Sequence, residues 1–146
     1  LFTTLAFLAA CNPASGGSPN IALYDITSGK VPVNPGDPAI DFGTAHQTRS
    51  PYTQLRTFSV ENTGTADLVL TGSGAAVAIT GDTANFSITT QPPQSIPAGG
   101  SVSFDIVLTA TATTGTFTRN ATIGIDSDDP DLASLSFDVT GTDQHC

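Results

Sequence analysis

The chain has 146 residues, enough for one domain with its own core, and a formal charge of −9 from 13 acidic and 4 basic residues. That charge repels a phosphate backbone, which excludes nucleic acid as a partner and leaves no attraction to anionic lipid headgroups. Trp and Met are absent and no stretch sustains helical apolar spacing, so the core must be built from Val, Ile, Leu and Phe on strands, and the chain reads as all-β.

Leu1–Ala10 is uncharged and apolar. It falls short of the roughly 20 residues that a membrane-spanning helix needs. It has the character of a signal-peptide h-region ending in small residues. With no initiating Met and no basic n-region, the reading frame is expected to begin upstream of Leu1. Leu8-Ala9-Ala10-Cys11 resembles the lipobox of bacterial lipoproteins. That resemblance implies a cut before Cys11, acylation of its thiol, and a membrane as partner through the lipid. Each buried CH₂ adds about 0.8 kcal/mol, so two or more acyl chains give lasting attachment. An ordinary secretory signal with Cys11 surviving as a thiol is the alternative. Asn12–Pro19 is rich in Gly, Ser and Pro, so residues 11–20 are expected to be a lipidated Cys and a flexible tether.

From Ile21 the chain alternates. Ile21–Ile26 is a first strand, and Val31–Pro38 is proline-rich and restricted to an edge or a loop. Ala39–Gly43 is short and apolar, and Thr44–Thr53 reads as a surface loop. Arg56–Gly72 is expected to be strand, tight turn and strand. Phe58 and Val60 share one face, Gly64 supplies a positive φ in the turn, and Leu68 and Leu70 resume the alternation. Ala76–Thr80 and Asn85–Ile88 are short strands. In Val102–Leu108, Val102, Phe104, Ile106 and Leu108 point inward. Ala121, Ile123 and Ile125 share a face in Phe117–Asp126, and Leu135, Phe137 and Val139 close the last strand. Seven to nine short strands at this spacing predict an immunoglobulin-like antiparallel β-sandwich over residues 21–141, followed by a tail at 142–146.

Asp41-Phe42-Gly43, Arg56-Thr57-Phe58, Asn62–Leu68, Ile96–Gly100 and Ala121–Ile123 with Ser127–Pro130 together resemble the choice-of-anchor D domains of bacterial surface proteins. Those are relatives of the ASH/HYDIN-type immunoglobulin-like modules. The resemblance implies a noncatalytic module outside the cytoplasm. It supplies no agreed ligand.

Asp126, Asp128, Asp129 and Asp131 form the densest carboxylate cluster. Calcium takes six to eight oxygens, and a loop of Asp residues can supply several. The same residues also suit a turn in which Asp side chains accept backbone N–H groups. His46 and His145 are the only histidines, and no Gly-x-Ser-x-Gly elbow surrounds a serine. Both histidines are expected to be solvated, with no catalytic residue among them. Cys146 sits past the last strand, where it either has no role or pairs between chains. Tyr24, Tyr52 and Arg49 form a carbohydrate platform only if folding brings them together. The sequence thus predicts a noncatalytic, cofactor-free lipoprotein of the bacterial cell envelope with a structural or protein-interaction role. Its partner is an unidentified protein or surface glycan. A calcium-dependent adhesin or glycan-binding module is the alternative.

Overall fold

A computed structural model describes residues 16–145. The apolar leader, Cys11 and Cys146 lie outside the described residues. Within them there are eleven strands and no helix: β1 Ile21–Asp25, β2 Val31–Pro32, β3 Ile40–His46, β4 Thr53–Asn62, β5 Leu68–Val69, β6 Ala78–Gly81, β7 Phe86–Thr90, β8 Ser95–Ile96, β9 Ser101–Thr109, β10 Thr116–Asp126 and β11 Ser134–Gln144. Five strands form one sheet in the order β2-β1-β4-β9-β7, and four form a second in the order β3-β11-β10-β6. β5 and β8 make a two-stranded ladder of their own.

The alternation predicted for the longer strands holds. Phe58, Val60, Phe104, Ile106 and Leu108 from the first sheet are buried against Ile123, Ile125, Leu135, Phe137 and Val139 from the second. Phe58 sits at the centre, stacked on Phe104 at 5.5 Å and tilted against Phe137 at 5.2 Å between ring centroids. Such pairs add about 0.5–1.5 kcal/mol beyond the area they bury.

Five expectations are corrected. Arg56–Gly72 is not a hairpin, because β4 pairs with β1 and β9 while β5 pairs with β8. The buried side chain of Asn62 redirects the chain: its Nδ2 donates to Ala66 O and Ile96 O, and its Oδ1 accepts from Gly64 N and Asn20 N. Gly64 is not at positive φ. It is small because the entering chain crosses over it, and an added Cβ would run into Ser18 O and lie 2.7 Å from Asn20 N. The sandwich is not wholly antiparallel, since β3 lies parallel to β11, pairing Ile40 with Val139 and His46 with Gln144. The chain crosses between sheets after β2, so β3 runs in the same direction as the last strand. Finally, β3 extends to His46 and β4 starts at Thr53, which shortens the expected loop. β11 runs to Gln144, so most of the expected tail is strand.

All four edges of the two main sheets are blunted. β2 is two residues long. Val33 N bonds Leu23 O, and Val31 and Pro32 lie opposite Asp25 and Tyr24. By the alternation of an antiparallel ladder, Pro32 is the position facing outward, and it has no N–H to give. β3 turns its outer edge to β4, where Arg56 Nη2 donates to Asp41 O at 2.8 Å and Gln54 Nε2 donates to Thr44 O. Next to β6, the Gln91 amide both accepts from Val77 N and donates to Val77 O, in place of a neighbouring strand. β7 carries a register shift and is followed by Gln91-Pro92-Pro93.

Phe58→Ala is expected to lower the unfolding free energy by about 3–5 kcal/mol in urea titration. Gly64→Ala should cost about 1–3 kcal/mol by overpacking. Its hydrogen-exchange signature should be loss of protection at Thr65 N, which bonds Ser18 O.

Candidate functional site

A groove of about 330 Å³ opens between β2 and the start of β3. Val31, Pro32 and Val33 line one wall, and Pro38 and Ile40 the other. Val31 is 59% exposed, while Val33 is buried at its root. The proline-rich connection shapes it, because Pro32 ends β2 with no N–H to give, and Pro35 and Pro38 keep the chain between β2 and β3 out of both ladders.

The polar end of the groove is the Asp25–Arg56 pair, 2.7 Å from Nη1 to Oδ2. Asp25 shares the inward parity of Ile21 and Leu23, and Arg56 that of Phe58 and Val60. Neither charge reaches open solvent freely, so each needs a partner. Asp25 Oδ1 also accepts from Thr27 N and Oγ1. Arg56 divides its donors between Asp25 and the β3 backbone and lies 5.7 Å from the Phe42 ring. Asp37 stands exposed on the rim, where its Oδ2 accepts from Asn34 N. Sequence reading passed over this pair. The available signal was parity with Phe58, which places Arg56 on the inner face.

Within the Asp126–Asp131 cluster, Asp128 and Asp129 serve the backbone. Asp129 is buried, with Oδ2 accepting from Ile21 N at 2.8 Å and Oδ1 from Asp131 N and Leu132 N. Asp128 Oδ1 accepts from Val69 N, and Asp126 Oδ1 from Ser134 Oγ. No group of three or more His, Cys, Asp or Glu side chains among the described residues could hold a metal ion. A second carboxylate escaped sequence reading. Asp143 is fully buried and accepts from Thr111 N, Ala112 N, Asn85 Nδ2 and Arg119. The Arg119–Asp143 pair measures 2.9 Å.

Burial by itself pushes both carboxyls up. At Asp129 the backbone N–H groups of Ile21, Asp131 and Leu132 outweigh it and hold the carboxyl below the usual range. At Asp143 the Ala112 N–H, Arg119, the Thr111 N–H and Asn85 do the same.

The two histidines come to the same end of the β3–β11 ladder. His46 lies opposite Gln144, and His145 follows one residue later. Both are half-buried rather than solvated, and the buried His145 Nδ1 has no hydrogen-bond partner. Tyr24 carries Lys30 Nζ 4.3 Å above its ring, whereas Tyr52 and Arg49 lie on the β3–β4 loop. Tyr24 pairs with Ser59, seven residues from Tyr52 along the chain and about 20 Å away. Folding does not assemble the three into one platform.

No family model matches the chain, and no curated protein matches it. Its fold is similar to the ASH / PapD-like domain of human CEP192 (PapD-like domain 7), with TM-score 0.50 and 17% identity over 88% of each chain. A protein of unknown function from Porphyromonas gingivalis W83 also has TM-score 0.50, at 16% identity over 86% of this chain and 64% of that one. The Vibrio cholerae VesB protease has TM-score 0.43 and 15% identity over 73% of this chain, which spans 30% of that protein. A likeness that weak carries no argument. The fold is an immunoglobulin-like β-sandwich, similar to that of the ASH / PapD-like domain.

Because both buried carboxyls are depressed in the folded state, the unfolded chain binds more protons as pH falls. Their contribution is complete above the unfolded carboxyl value of about 4 and is lost as pH falls through their folded values. Urea midpoints should therefore fall below about pH 4. Asp143→Asn should flatten that slope and also lower stability at pH 7.

Proposed function

We propose that this chain is a noncatalytic lipoprotein of the bacterial cell envelope, whose immunoglobulin-like module binds another protein. The observation that carries the interaction role is the β2–β3 groove, an apolar surface feature on a sandwich whose sheet edges are otherwise blunted. Its 330 Å³ lies at the small end for a binding pocket and has room for one or two side chains. The fold agrees with such a role, because sandwiches present rigid surfaces without needing a reactive centre.

The envelope address rests on the sequence, namely the apolar leader, the lipobox-like Leu8–Cys11 and the tether behind it. In this reading Cys11 bears the lipid and the residues ahead of Ser18 space the sandwich from the bilayer, a shorter tether than expected, because Ser18 O and Asn20 O already accept from Thr65 N and Thr63 N. The strands then begin at Ile21, which Asp129 clamps.

Mass spectrometry of the native protein should find residue 11 acylated at the new amino terminus, with the protein in the detergent phase on partitioning. Cys11→Ser should move it to the aqueous phase with an unchanged melting temperature. An unacylated residue 11 in native protein would remove the anchor from this reading.

A further inference from the structure

We propose that the β2–β3 groove docks an aliphatic or aromatic side chain carried on a cationic segment of a partner protein. The proposal rests on the interaction role above and adds its location and chemistry.

The first argument is electrostatic. The groove holds two carboxylates, Asp25 and Asp37, against one guanidinium, Arg56. Arg56 is held by Asp25 and Asp41 O, and the Asp25 carboxylate offsets its charge, which weakens its pull on an anionic guest. Lys30 and Arg119 are likewise paired, with Glu61 and Asp143. Three of the four basic residues are thus neutralised within the fold of a chain whose net charge is −9. An approaching acidic segment meets repulsion, and a basic one is steered in.

The second argument is geometric. Strand addition is closed on both sides of the groove. The outward position of β2 is Pro32, which lacks an N–H, and the outward carbonyls of β3 at Asp41 and Thr44 already accept from Arg56 and Gln54. Recognition by backbone ladder is therefore unavailable, and a guest is held by side chains. Val31, Pro32, Val33, Pro38 and Ile40 present the apolar surface for one such anchor. Asp37 on the rim faces the flanking charge.

The test uses three blocked peptides: Lys-Gly-Lys-Leu-Lys-Gly-Lys, the same with Ser for Leu, and the Leu peptide with Glu for every Lys. Each is titrated into the ¹⁵N-labelled full chain. The lysine–leucine peptide should shift the amides of Val31, Val33 and Ile40. The serine peptide should bind at least about tenfold more weakly, for loss of the buried anchor, and the glutamate peptide should not bind. Asp37→Asn and Val31→Ser, both at exposed positions, should each weaken the lysine–leucine peptide without changing the rest of the spectrum. Equal binding of the serine peptide, or shifts scattered over acidic residues away from the groove, overturns the proposal. If Val31→Ser protein still cross-links its envelope partner as wild type does, the groove assignment fails while the interaction role stands.

Discussion

A β-sandwich hides its two inner faces but leaves four strand edges, each a row of backbone donors and acceptors facing sideways. Satisfying or disabling those groups is the constraint on which this molecule depends, because an open edge invites pairing with any extended chain nearby. The solutions differ at each edge. Proline removes a donor at β2, long polar side chains from β4 occupy the carbonyls of β3, and Gln91 substitutes for a strand beside β6. These devices also explain why polar side chains occupy inward positions. Gln54 and Arg56 have the parity of Phe58 and Val60, yet they point to where the second sheet's edge crosses the first. There the layer between the sheets changes from hydrocarbon to hydrogen bonds.

Much of the architecture was legible in the sequence. Val102–Leu108 and Leu135–Val139 read correctly because burial on one face writes itself directly into a period of two. The same holds for Leu68 and Leu70, which are buried as expected although their partner strand was misassigned. The failures share a cause. Alternation reports which face a residue uses but not which strand lies beside it. The β4–β5 pairing was inferred from nearness in the chain, and the parallel β3–β11 ladder joins segments about a hundred residues apart. Gly64 was right as a residue and wrong as a reason, since the crossing chain that demands its small size is itself a nonlocal contact.

The candidate site was the least legible part. Its chemistry lies in a pairing of Asp25 with Arg56, 31 positions apart, and in prolines that sequence reading could only exclude from central strands. Conversely, the Asp126–Asp131 run looks like a ligand set when written as letters. Folded, Asp129 spends both oxygens on backbone amides from three residues, and Asp128 does similar work. Dense acid in a chain is as well explained by turns that need acceptors as by ions that need oxygens.

The bond from Ile21 N to Asp129 Oδ2 spans 108 positions. A ribosome making this protein releases β1 long before the corner that fastens it exists. The earliest strand to emerge can pair with β4 once Asn62 has been made, but its first amide waits for Asp129. Such reliance on distant partners is what makes all-β topologies slow to assemble. A polypeptide interrupted before that aspartate would carry a leading strand with nothing to hold its amide.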